Sequence, residues 1–242
     1  ELGLMRGGHH EIARAYVLYR ERRTQERARQ AQTEAARAPA PVLHVTDGGQ
    51  RVALDTTQLQ RLIESACSGL GADVKPEPIV AETMRNLYDG VPMDEVYKAS
   101  ILAARTLIEK DPDYTYATAR LLLHTIAKEV LGADVIQGGL AARYADFFPD
   151  FIRKGVEHEL LDERLLQFDL PRLGAALKAE RDLQFDYLGL QTLYDRYFLH
   201  VRKTRIELPQ AFFMRVAMGL ALNEIDREAR AIEFYEVLSS FD

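Results

Sequence analysis

Apolar residues recur at helical spacing along most of the chain, most clearly between Asn86 and Gly132. In the first half of that stretch Val96, Ile101, Leu102, Leu107 and Ile108, with Ala99 and Ala103 between them, fall on one wide face. The pattern predicts an amphipathic helix of about five turns. The second half, Tyr116 to Leu131, repeats it through Leu121, Leu122, Ile126 and Val130 and closes at Gly132, a residue suited to the left-handed backbone that ends a helix. Only Asp111-Pro112-Asp113-Tyr114-Thr115 separates the two, so they are expected to pack antiparallel. Ahead of them, Gly90 suits the end of a preceding helix, Pro92 a first-turn position, and Asp94 and Glu95 a helix N-terminus.

Elsewhere the pattern is interrupted by turns. Residues 9 to about 36 read as a helix with few apolar positions and charge on all sides, followed by the stiff linker Ala38-Pro39-Ala40-Pro41. Val42 to Thr46 and Arg51 to Leu54 flank Asp47-Gly48-Gly49-Gln50 as a β-hairpin. Asp55 or Thr56 can cap a helix running through Leu59, Leu62, Ile63, Ala66 and Leu70 to Gly71, and Pro76 to Tyr88 gives another. Residues 42–132 are thus expected as a hairpin under four helices. Beyond Gly132, shorter helices are expected at Gly139–Phe147, Pro149–Gly155, His158–Gln167 and Leu170–Arg181, in a region whose aromatic residues mark a packed core. A helix over Asp186–Tyr197 then leads into the β-prone Phe198–Val201. The fold class is mainly α.

Composition narrows the function classes. The chain has 242 residues, 47% hydrophobic, with a net charge of −6, which provides for a sizeable core and argues against a nucleic-acid surface. No apolar run nears the roughly 18 residues that span a bilayer, and no signal-peptide pattern opens the chain, so a cytoplasmic, membrane-free protein is expected. One cysteine, Cys67, excludes an internal disulfide framework and a multi-cysteine zinc site, and is read as a small core residue. The six histidines show no metal-ligand spacing beyond the adjacent pair His9-His10. No phosphate-binding glycine loop or nucleophile elbow occurs, so neither catalytic residues nor a metal site are expected.

Several motifs carry a family resemblance. Val45-Thr46-Asp47-Gly48-Gly49, Leu54-Asp55, Tyr88-Asp89-Gly90 and the run Asp113 to Leu121 resemble the landmarks of the ATP-cone, the regulatory nucleotide-binding domain of ribonucleotide reductase large subunits. His10 to Arg23 resembles the last helix of another cone. Glu207-Leu208-Pro209-Gln210, continuing through Met214-Arg215-Val216-Ala217, resembles the opening helix of the large subunit's main domain. The resemblance implies the last helix of one cone plus linker at 1–37, a second cone at 38–132, and at 133–242 the all-helical N-terminal part of the large subunit. With neither an initiator methionine at Glu1 nor a natural stop at Asp242, the chain is expected to be an internal piece, cut before a catalytic barrel.

For function, the resemblance implies an oxidoreductase of class I, reducing ribonucleoside diphosphates to deoxyribonucleotides for DNA synthesis. Its effectors would be ATP and dATP, and its partners a small subunit that holds the radical cofactor and further copies of itself. The family grips its nucleotide with a Lys-Arg pair in the hairpin, a threonine after the Tyr-Asp-Gly corner and a lysine on the last helix. Here those positions carry Thr46, Asp47, Met93 and Lys128. Exchanging two cations for a neutral residue and an anion removes the main contacts to a triphosphate, so the cone is expected to be degenerate. Lys128, Asp55 and His124 are what remains of a nucleotide site. The rival reading is a stand-alone helical module for nucleotide sensing or oligomerisation, without catalysis.

Overall fold

The structure, a computed structural model, describes residues 42–132 and 137–241. The charged helix expected over residues 9 to 36 and the linker at 38–41 lie outside the described residues. Leu43–Asp242 forms one compact unit.

Its first part is built on a small sheet. β1 (His44–Asp47) and β2 (Gln50–Ala53) pair antiparallel, Val45 opposite Val52, with Gly48 and Gly49 turning the chain at φ 55° and 82°. The expected hairpin is present but is not alone. β3 (Val91–Pro92) adds parallel to β1, with Val45 opposite Val91 and Thr46 opposite Pro92. Pro92 therefore ends a strand and precedes a helix instead of occupying its first turn. A proline fits this edge because its missing N–H is not needed by a strand that pairs on one side. Gly90, at φ 87°, turns into β3 and does not end a helix.

Four helices follow the hairpin in chain order: α1 (Thr56–Cys67), α2 (Pro76–Asn86), α3 (Met93–Thr106) and α4 (Tyr114–Leu131). Asp55 caps α1, its carboxylate accepting the Gln58 N–H at 2.9 Å. α1 stops at Cys67, before Gly71, and the left-handed residue beyond it is Gly69 at φ 73°. Gly132 ends α4 at φ 66°, with its N–H on the Lys128 carbonyl, as the sequence predicts. Val96, Ile101, Leu107, Leu121, Leu122 and Ile126 are buried together. Leu102 is not among them: it stands 56% exposed, because Ala103 and Ala104 take the inner face of α3 at that turn.

The second part departs further from expectation. The segments expected at 139–147 and 149–155 are one helix, α5 (Gln137–Glu157), which runs through Pro149. A 3-10 turn at Glu163–Gln167 replaces the helix expected at 158–167. α6 (Leu170–Ala175) is followed by a second 3-10 turn at Ala179–Gln184 where one continuous helix was expected. α7 (Tyr187–Arg196), capped by Asp186 on the Gly189 N–H, leads into β4 (His200–Val201) and β5 (Thr204–Arg205), then α8 (Pro209–Ala221) and α9 (Arg227–Ser240). Among the described residues no helix is long and apolar enough to cross a membrane.

The Glu-x-Pro-Gln motif has a physical explanation here. Pro209 opens α8, where a missing N–H costs nothing. Fully buried Glu207 accepts the Leu199 N–H at 2.8 Å and the Arg215 guanidinium at 2.6 and 3.2 Å, which ties the β4–β5 hairpin to α8. Equally buried Gln210 donates to Asp182 and accepts from the Tyr235 hydroxyl, both at 2.7 Å, and Asp182 also accepts the Tyr144 hydroxyl at 2.7 Å. Side chains from α5, the 3-10 turn, α8 and α9 thus meet at one amide.

Candidate functional site

The residues expected to remain from a nucleotide site lie on two elements: Asp55 at the start of α1, His124 and Lys128 on α4. Lys128, near the end of α4, holds its ammonium 4.7 Å from the centre of the Tyr97 ring and 3.9 Å from a carboxylate oxygen of Asp94. Its side chain is only 22% exposed. Tyr97 is itself buried, and its ring meets that of His124 edge to face at 5.2 Å. Lys128 and His124 therefore come together, through a tyrosine that the sequence reading did not single out. An ammonium over an aromatic face is attracted by the ring quadrupole, by about 2 kcal/mol when desolvated. Asp55 serves as the cap of α1, its carboxylate on the Gln58 N–H.

His124 also lines a cavity of about 10 Å³ with Leu62, Ser65, Arg120 and Leu140, which is the size of one water and far below the space a nucleotide occupies. Arg120 borders it and caps the C-terminal end of α1, donating to the carbonyls of Ala66 and Ser68 at 3.1 and 2.7 Å. Burial pushes its guanidinium below the ordinary range. Burial likewise pushes the Cys67 thiol up to about 11, which suits a core residue and not a nucleophile.

At the hairpin, side chains pair locally with the Tyr-Asp-Gly corner. Thr46 donates its hydroxyl to the Gly90 carbonyl at 3.1 Å. Asp89 accepts the His44 N–H at 2.9 Å, faces the His44 imidazole at 3.2 Å and pairs with Arg51. That backbone hydrogen bond, with the Arg51 charge, holds the Asp89 carboxyl below its usual value. Arg51, a cation the hairpin brings to the Tyr-Asp-Gly corner, therefore already faces a carboxylate. Met93 packs against the core at the start of α3. The missed participants, Tyr97 and Asp89, left a faint signal. Tyr97 sits one turn after Met93 on the helix that faces Lys128, and Asp89 lies in the corner motif itself.

A larger groove of about 440 Å³ lies between Tyr116 of α4 and Phe185, Asp186, Leu193, Phe213 and Phe241. Among the described residues no group of three or more His, Cys, Asp or Glu side chains could hold a metal ion.

The helices that follow the small sheet, locked on the Glu-x-Pro-Gln turn, fit a mainly helical reductase domain. Residues 183–242 match the family described as the ribonucleotide reductase all-alpha domain. Along its whole length the chain is 40% identical to the ribonucleoside-diphosphate reductase subunit alpha of Chlamydia trachomatis, of which it covers 23%. Over 82% of the chain it is 34% identical to the corresponding subunit of Helicobacter pylori, and over 80% it is 32% identical to the large subunit of Danio rerio. It covers 24% of each. The chain is thus related throughout to reductase alpha subunits and spans about a quarter of their length.

Proposed function

We propose that this chain supplies the regulatory and packing region of a class I ribonucleoside-diphosphate reductase large subunit. In that reading the enzyme reduces ribonucleoside diphosphates under ATP and dATP control. It takes its radical from a separate small subunit and associates with further copies of itself. The chemistry needs several cysteines, whereas this chain has one, the buried Cys67. Catalysis therefore requires residues outside these 242.

Within that reading, residues 38–132 are an ATP-cone that no longer binds nucleotide and acts as a structural spacer. The observation that carries this is the engagement of Lys128 with the Tyr97 ring and Asp94, beside Thr46 and Asp47 at positions where the family places cations. Each lost charge-assisted hydrogen bond costs roughly 1.5–3 kcal/mol, so losing two or three weakens a triphosphate by about two to five orders of magnitude or more. The test is titration calorimetry of the chain with dATP and with ATP. No heat of binding is expected up to millimolar nucleotide. A dissociation constant in the low micromolar range would overturn the reading and return Lys128, His124 and Asp55 to the list of ligand contacts.

A further inference from the structure

Lys128 and Glu129 are neighbours on the last turns of α4, yet they serve different partners. Lys128 faces Tyr97 and Asp94 within the hairpin-and-helix unit. Glu129 reaches across to the second part of the molecule with both carboxylate oxygens. One accepts the Tyr194 hydroxyl of α7 at 2.8 Å, and the other accepts the backbone N–H of Arg205 in β5 at 2.7 Å. The Arg205 guanidinium lies 4.2 Å over the Tyr194 ring and donates to the Tyr194 carbonyl at 3.3 Å, so the two residues that donate to Glu129 are held to each other as well as to it. All these contacts are partly buried, where charge-assisted hydrogen bonds are stronger than at the surface. Burial pushes the Tyr194 hydroxyl up to about 12, which keeps it a donor at neutral pH. At the other end of α4, the Thr115 hydroxyl oxygen accepts the N–H of Tyr187, the first residue of α7, at 3.1 Å.

We propose that Glu129 is the latch that fixes the cone to the helical region. Through Tyr194 and Arg205 it makes α4 a rigid strut between the two, instead of the moving arm of a switch. The inference rests on the reading of the cone as a spacer, because a latched α4 suits a unit that transmits position without responding to ligand.

The experiment is a pulsed electron–electron distance measurement on the whole chain, with spin labels at Arg85→Cys on α2 and Arg172→Cys on α6. Both sites are exposed, and the native Cys67 is buried. The parent should give one narrow distance distribution, Glu129→Ala a clearly broadened one, and Glu129→Gln, which keeps the side-chain volume, an intermediate one. Hydrogen exchange at the Arg205 amide should accelerate by roughly tenfold or more in Glu129→Ala, since its acceptor is gone. An unchanged distribution and unchanged Arg205 exchange in both variants would overturn the latch. The spacer reading fails separately: a shift of the parent distribution on adding dATP would overturn that reading and leave the variant comparison to decide the latch.

Discussion

The carbonyl oxygen of Ala145 faces Gly174 so closely that a Cβ built on the glycine would stand 2.9 Å from it. The reason lies four residues along α5. Pro149 has no N–H, so the Ala145 carbonyl lacks its i+4 donor, and α6 packs against α5 where the backbone is uncovered. Helix propensity alone would favour Gly174→Ala by about 1 kcal/mol. Overpacking against a backbone atom costs about 1–3 kcal/mol, so the clash decides the sign. Thermal unfolding should show Gly174→Ala melting below the parent, and an equal or higher midpoint would sink the account.

Asp182 predicts a pH dependence. Complete burial raises its carboxyl from an ordinary 3.8 to about 7, against the hydrogen bonds from Gln210 and Tyr144 that pull it down. The folded chain then holds a proton that the unfolded chain releases near pH 4. Its contribution to stability is fully present below about pH 4, falls as pH rises, and is lost above about 7. Glu207, raised by burial despite Arg215, adds in the same direction. Urea midpoints taken from pH 5 to 8 should decline less steeply for Asp182→Asn than for the parent. Parallel slopes would show that this carboxyl does not titrate in that range.

The Glu207–Arg215 pair allows a contrast between buried and exposed ion pairs. Glu207 is fully buried and Arg215 partly so, and removing the arginine strands a buried charge at a cost of about 3–5 kcal/mol. Arg215→Met should therefore lower the urea midpoint far more than Lys98→Met, whose partner Glu95 is well exposed and whose pairing contributes less than about 1 kcal/mol. Similar losses in the two variants would mean that Glu207 takes up a proton when its partner leaves.

What was legible in the sequence follows from how local each signal is. The Asp55 cap and the Gly132 stop act within a few residues of themselves and stood where their chemistry puts them. β3 did not, because Val91 and Pro92 are too few to show a period and owe their state to β1, more than forty residues upstream. Pro149 read as a helix break because the packing of α6 that tolerates it comes later in the chain. At the candidate site, Lys128 was legible as a lone cation. Its partner Tyr97 was not singled out, since nothing local distinguishes a ring that packs in the core from one that also carries a cation.

That partnership yields the last prediction. If the ammonium of Lys128 is committed to the Tyr97 ring 4.7 Å away, the two side chains should stabilise the fold jointly and not independently. A double-mutant cycle with Lys128→Met and Tyr97→Leu isolates the shared term, because each change removes the cation–ring contact while keeping an apolar side chain in place. The coupling should come to about 0.5–2 kcal/mol, the range for a partly desolvated ammonium on an aromatic face. His124, packed edge-on to the same ring, should sense Tyr97→Leu by a chemical-shift change and Lys128→Met much less. Additive losses would show that Lys128 does not direct its charge at Tyr97.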